Sequence, residues 1–101
     1  TISNNTAVDG GGIFNGAHDA VTMNGGSKVT GNKAEGSAHL EGRGGGIFNS
    51  GAVTMNRGTK VTGNDAADLG GGIYNNEGTL PGAAAGRNVR NNTPDNIFNV
   101  G

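Results

Sequence analysis

The hexapeptide Gly-Gly-Gly-Ile-Phe-Asn at residues 10–15 recurs unchanged at 44–49 and as Gly-Gly-Gly-Ile-Tyr-Asn at 70–75. A shortened copy, Asn-Ile-Phe-Asn, follows at 96–99. The intervals between the four isoleucines are 34, 26 and 24 residues, and periods of this order are typical of repeat proteins. We therefore expect a chain built from stacked copies of one structural unit.

Two further elements recur in a fixed order around this motif. Val-Thr-Met-Asn occurs at 21–24 and 53–56, and its third copy is degenerate. An Ile/Val-x-x-Asn element begins at residues 2, 29, 61 and 89. Each element is short, contains β-branched residues and ends in Asn or Gly, a pattern that predicts a strand followed by a turn. No stretch has the 3.6-residue periodicity of a helix.

Three strands in each turn of ~25 residues predict an all-β, three-sided parallel β-helix of about three to four coils. The coils start near Gly10, Gly44, Gly70 and Asn96, within a single domain spanning residues 1–101. Propeller blades need four strands in about 40–45 residues, and leucine-rich repeats need regularly spaced Leu residues. The chain provides neither pattern.

The composition excludes several protein classes. Only 32% of the residues are hydrophobic and 4% are aromatic, so bulky side chains cannot fill a globular core. The net charge of −1 gives no electrostatic reason to expect binding to nucleic acid or an anionic membrane. No apolar run approaches the ~20 residues of a membrane span. The absence of Cys excludes disulfides and thiolate metal sites.

In a β-helix, equivalent strands pair one turn apart, so identical residues stack in columns about 4.8 Å apart. Alternation along each strand then sends every second side chain inward. The predicted inward columns are Ile13, Ile47, Ile73 and Ile97; Ile2, Val29, Val61 and Val89; and Val21 and Val53 with Met23 and Met55.

Asparagine forms two more columns, in which each side-chain amide is expected to bond to the copies above and below. Asn also tolerates the left-handed conformation at sharp bends, whereas the Gly triplets allow positive φ or close backbone approach. The two predicted columns are Asn15, Asn49, Asn75 and Asn99, and Asn5, Asn32, Asn64 and Asn92.

The aromatic residues each follow an Ile, so they point to the opposite side of the strand and form either an external ladder or the filling of a corner. They are Phe14, Phe48, Tyr74 and Phe98. An external ladder is a candidate partner contact. The longest loop, 33–43, adds Lys33, His39 and Arg43 as candidate contact residues. Arg43 and Asp9 each precede a Gly triplet, so they are expected to pair one turn apart.

The order Val-Thr-Gly-Asn-Asp-Ala at 61–66 followed by Gly-Gly-Gly-Ile-Tyr at 70–74 resembles the repeat of polymorphic outer membrane proteins. The chain departs from that repeat by having Ile or Val where the family has Phe, and Gly where it has Ala. The resemblance implies a right-handed β-helix and a non-catalytic role in adhesion. It also implies a location at a bacterial cell surface, as in an autotransporter passenger domain, or outside the cell.

The sequence identifies no catalytic, cofactor-binding or metal-binding residue. The acids do not repeat in register, so the carboxylate clusters of polysaccharide lyases and hydrolases are not expected. A polysaccharide-binding or polysaccharide-degrading β-helix remains the alternative, and an ice-binding solenoid is a minor one. The candidate partners include neighbouring coils of a longer chain, host proteins and surface glycans.

The two ends of the chain are complementary. The start, with Thr1 and Ile2, continues the repeat that stops at Asn96, Ile97 and Phe98. We therefore expect either a fragment of a longer solenoid or subunits that associate head to tail into a fibre by strand stacking.

Overall fold

The computed structural model describes residues 1–38 and 41–101. Over these ranges the chain is an all-β parallel β-solenoid of about three turns. The strands are β1 Ile2–Ser3, β2 Thr6–Ala7, β3 Ile13–Asn15, β4 Ala20–Met23, β5 Lys28–Thr30, β6 Lys33–Ala34, β7 Ile47–Asn49, β8 Ala52–Met55, β9 Lys60–Thr62, β10 Asp65–Ala66, β11 Ile73–Asn76, β12 Val89–Arg90 and β13 Ile97–Val100.

Every strand pairs in parallel with its equivalent one turn away, so the predicted parallel solenoid is confirmed. The pairing is in register: Ile13 faces Ile47, Ile47 faces Ile73, and Ile73 faces Ile97. The four sheets have the strand orders β1-β5-β9-β12, β2-β6-β10, β3-β7-β11-β13 and β4-β8.

The sheet formed by β2, β6 and β10 was not predicted. Its strands have two residues each and share only their second residue, an alanine. Ala34 is 0% exposed and Ala66 is 5% exposed, so this position admits only a small side chain. The prediction of three strands per turn was therefore incomplete, and the right-handed twist of the coil stays a prediction.

The core is a narrow column that runs along the axis, as the periodic apolar residues predicted. Ile47, Ile73, Val61 and Val89 are 0% exposed. Ile13 and Ile97 occupy the same column as Ile47, but each lies in a terminal strand of its sheet and is only partly buried. In this isoleucine column, full burial is therefore found where a paired strand lies on both sides, at Ile47 and Ile73.

The turns use Gly in two ways. The first Gly of each triplet is left-handed, with φ of 62° at Gly10, 71° at Gly44 and 65° at Gly70. The third Gly lies against the next turn, since a Cβ on Gly46 would be 2.6 Å from the carbonyl oxygen of Gly72. Both predicted uses of the triplet are confirmed.

The left-handed bend beside the second Asn column lies one residue earlier than the asparagines to which it was assigned. Its φ values are 57° at Asn4, 66° at Gly31, 66° at Gly63 and 56° at Asn91. These residues have room for positive φ because each is Gly or Asn. The ladder asparagines are instead free to use their side chains for bonds between turns.

We expect Ile47→Ala to destabilise the protein by about 2–5 kcal/mol, because it leaves a cavity in a fully buried column. Ile13→Ala removes the same atoms from the same column at a partly exposed position, so its cost should be clearly smaller. Denaturant unfolding followed by circular dichroism measures both. Equal losses for the two variants would contradict the stacked-column account.

Candidate functional site

The first Asn column is a continuous amide ladder, as predicted. Asn15 Nδ2 donates to Asn49 Oδ1 at 2.8 Å, and Asn49 Nδ2 donates to Asn75 Oδ1 at 2.9 Å. Asn75 Nδ2 donates to Asn99 Oδ1 at 3.0 Å. The Asn49 amide also donates to the carbonyl of Thr79 at 3.1 Å. Buried polar side chains are therefore satisfied by the neighbouring turn.

The second column forms a ladder of the same kind. Nδ2 of Asn5, Asn32 and Asn64 donates to Oδ1 of the next asparagine at 3.1, 3.1 and 3.0 Å, and the last of these acceptors belongs to Asn92. Asn92 in turn donates to Asn96 Oδ1 at 3.2 Å, which extends the predicted column by one residue.

Both ladders have a direction. The backbone N–H of Asn32 also donates to Asn64 Oδ1, at 2.9 Å, so the oxygen end of that amide is fixed by a second donor. Every amide-to-amide bond between turns runs towards the C-terminal end of the stack, although Asn64 Nδ2 also donates back to the Val29 carbonyl. The two ends of the first ladder are consequently different: Asn15 uses its Nδ2 within the stack, whereas Asn99 uses its Oδ1.

The aromatic residues form a stacked ladder, as the first of the two predicted arrangements requires, but the ladder is not external along its whole length. Phe14 and Phe48 have ring centroids 4.7 Å apart and planes within 3°. Phe48 and Tyr74 are 5.1 Å apart, and Tyr74 and Phe98 are 5.8 Å apart. Phe48 and Tyr74 are buried, so the middle of this ladder is not a bare apolar stripe.

Arg43 covers the middle of the aromatic ladder. Its guanidinium carbon lies 5.3 Å from the Phe48 ring centroid and 5.2 Å from that of Tyr74, within the range of cation–π attraction. The predicted pair with Asp9 is present, with Arg43 Nη2 3.5 Å from Asp9 Oδ2 and the Arg43 N–H donating to Asp9 Oδ1 at 2.9 Å. Burial opposes the charge on Arg43, but Asp9 and Tyr74 outweigh it and raise its pKa above the usual value.

Two large apolar side chains are exposed in the described ranges, and both lie in the first turn. Ile2 is 37% exposed, whereas Val29, its partner one turn later, is 2% exposed. Phe14 is 61% exposed, whereas Phe48 is 5% exposed. We call the open faces of β1 and β3, with Ile2 and Phe14, the N-terminal edge.

The loop residues Lys33, His39 and Arg43 stay predicted partner contacts. Lys33 pairs in register with Asp65, but no ion pair joins their side chains. The ion pair found in ranges 1–38 and 41–101 is that of Arg43 with Asp9. Lys33 is exposed on β6. His39 lies outside the described residues.

One contact between acids was not predicted. Glu41 and Asp68 come from successive turns, and the Asp68 carboxylate raises the pKa of Glu41, because it accepts a hydrogen bond from the protonated Glu41 carboxyl and carries a negative charge. The shared position of Arg43 and Leu69, which pair as a β-bridge, is the signal that aligns these two loops. The described part of the chain contains no group of three or more His, Asp or Glu side chains that could hold a metal ion.

Comparison with known proteins leaves the family open: no family model, no curated protein and no solved structure matches the chain. Within ranges 1–38 and 41–101 there is no helix of the length and apolarity needed to cross a membrane.

Substitution of a single ladder asparagine tests how much the buried ladder contributes to the free energy of unfolding. Asn64→Ala removes the acceptor of Asn32 and the 3.0 Å bond from Asn64 Nδ2 to the Val29 carbonyl, leaving buried groups unpaired. We expect a loss of roughly 1–3 kcal/mol for each stranded group, measured by denaturant unfolding.

Asn24→Ala is the matched control, because Asn24 accepts a 3.3 Å bond from Asn56 in an exposed pair of the same amide–amide type. It should change the free energy of unfolding by well under half as much. An equal loss for both variants would show that the buried ladder has no special role.

Proposed function

We propose that the chain is a non-catalytic structural module that extends by stacking turn upon turn, at a bacterial cell surface or outside the cell. Its N-terminal edge would receive the C-terminal edge of a second copy, so that subunits join head to tail into a fibre. The observation that supports this most is the N-terminal edge itself, where Ile2 and Phe14 are exposed in columns that are buried one turn later.

Apolar burial favours covering this edge. Fully burying a large apolar side chain contributes about 1.5–3 kcal/mol. The edge also presents the unpaired backbone groups of β1 and β3, which are the terminal strands of their sheets. A further strand added to each would satisfy those groups in the way that strand augmentation does.

The direction of the Asn ladders favours a copy of the same chain in a head-to-tail orientation. The last amide of the first ladder belongs to Asn99, whose Oδ1 accepts from Asn75, so a further amide in the ladder would accept from its Nδ2. The first amide belongs to Asn15, whose Nδ2 is used within the stack. Asn99 of one copy therefore suits Asn15 of the next, whereas two like ends would bring two donors or two acceptors together.

The aromatic ladder favours the same partner. Phe14 stacks on Phe48 through one face and leaves its other face on the N-terminal edge. Phe98 stacks on Tyr74 at the opposite end of the ladder. A second copy would place the ring of Phe98 against that of Phe14 and continue the column. The adhesive part of the proposal is supported by the resemblance to polymorphic outer membrane protein repeats.

End-to-end stacking predicts reversible association of the 101-residue protein. Sedimentation velocity should show species that grow with concentration, and electron microscopy should show filaments of monomer width. Phe14→Lys and Ile2→Lys should each weaken association at least about tenfold, which corresponds to 1.4 kcal/mol, because they place a charge in an apolar contact.

Thr22→Lys is the matched control. Thr22 is exposed on β4 of the same turn, and its partner Thr54 is still partly exposed one turn later, unlike the partners of Ile2 and Phe14. Alternation points its side chain away from the core, so it should leave association unchanged. A wild-type protein that stays monomeric as its concentration is raised, or equal weakening by all three variants, would contradict head-to-tail stacking.

A further inference from the structure

The charges of the chain are separated around the axis, although its net charge is only −1. The segments 20–32, 52–64 and 78–94 contain no Asp or Glu. They include the strands β4, β5, β8, β9 and β12 and the turns between them. We call them the cationic arc. Of the 7 Lys and Arg residues in the chain, the arc holds Lys28, Arg57, Lys60, Arg87 and Arg90.

A cleft of about 470 Å³ opens in the cationic arc. Arg57, Lys60 and Arg87 line it, together with Asn56 and Asn88. The three cationic residues are exposed. No ion pair in ranges 1–38 and 41–101 involves any of them, since the pair found there joins Arg43 to Asp9.

The cleft is built where the repeat degenerates. The third turn follows β8 only briefly, with Val53 N–H donating to Thr79 O at 3.0 Å and Met55 N–H donating to Pro81 O at 2.8 Å. Beyond Pro81 the chain leaves the column as a loop and returns to it at β12.

The side chain of Asn88 holds this loop in shape. Ala84 N–H donates to Asn88 Oδ1 at 2.7 Å, and Asn88 Nδ2 donates to Gly82 O at 2.7 Å. The opposite wall is the tight turn before β9, where the buried Thr59 hydroxyl donates to Asn56 O at 2.7 Å. Internal hydrogen bonds thus fix both walls of the cleft. The Lys and Arg side chains therefore extend from well-defined backbone.

Stacking places like charges in a line on this arc. Lys28 pairs in register with Lys60, so two ammonium groups project from positions one turn, or about 4.8 Å, apart. Like charges directly opposite each other are destabilising in a sheet. An anion bound along the line would remove this repulsion, and a polymer with regularly spaced anionic groups would do so at both lysines.

We propose that the cationic cleft binds a linear polysaccharide that carries carboxylate or sulfate groups. Lys28, Lys60, Arg57 and Arg87 would contact the anionic groups, and the exposed amide of Asn56 would bond to sugar hydroxyls. Binding to single-stranded nucleic acid is disfavoured because it relies on aromatic stacking platforms. The four aromatic residues all lie in the column of β3, β7, β11 and β13, outside the cationic arc.

This inference names a partner for the adhesive part of the proposed function and rests on that part, but it does not require head-to-tail stacking. Binding is measured by isothermal titration calorimetry at low ionic strength, with heparin as the sulfated probe and polygalacturonate as the carboxylated one. Neutral dextran and a thymidine oligonucleotide are the comparison probes. Sedimentation of the same samples without polysaccharide reports stacking separately, so failure of one proposal is distinguishable from failure of the other.

We expect at least one of the two acidic polysaccharides to bind, with an affinity that falls as salt is added because the contacts are exposed. Lys60→Gln should weaken binding about two- to fivefold, the range that corresponds to exposed charge pairs. Lys33→Gln is the matched control: Lys33 is also exposed and also begins a strand, but it lies outside the cationic arc.

Several outcomes would overturn the proposal. These are no binding of either acidic polysaccharide, equal binding of dextran, tighter binding of the oligonucleotide than of both polysaccharides, or equal effects of Lys60→Gln and Lys33→Gln. Unchanged circular dichroism spectra for both variants would exclude misfolding as the cause of lost binding.

Discussion

The structure depends on each buried asparagine finding its partner in the next turn. Asn32, Asn49 and Asn64 are at most 1% exposed, and their amides bond to copies of themselves. An unpaired buried amide costs about 1–3 kcal/mol, so a shifted register would leave several such groups without partners at once. A one-residue slip would also turn every apolar side chain away from the core. The ladders therefore select one register among parallel pairings that would otherwise be similar in energy.

The same constraint explains how a chain with 32% hydrophobic residues folds. Each turn contributes only a few Ile, Val and Met side chains to the core cluster, but their neighbours above and below bury them from both sides. Glycine makes this geometry possible, since Gly45 and Gly46 lie so close to the next turn that a Cβ would overlap backbone atoms. Stability in such a stack belongs to interfaces between turns, and a terminal turn has only one of them.

The residues that could be predicted from the sequence are the ones that repeat without change. Identical Ile, aromatic and Asn positions located the columns and their register, and the paired positions of Asp9 and Arg43 located an ion pair. Residues with variable partners were missed: the strands β2, β6 and β10 share only a small alanine, which has little preference for strands. The contact between Glu41 and Asp68 joins loops of unequal length, which are aligned only at Arg43 and Leu69, next to the Gly triplets.

The cleft could not be predicted from the repeat, because it forms where the repeat is interrupted. Perfect repetition makes lines of identical groups, such as Lys28 and Lys60, but it makes no concavity, because each turn covers the last with the same outline. A site needs a turn that departs from the pattern, and here the third copy of Val-Thr-Met-Asn is replaced by a Gly- and Ala-rich loop that brings Arg87 beside Arg57 and Lys60. The repeat thus aligns Lys28 with Lys60, and the loop that interrupts the repeat forms the cleft.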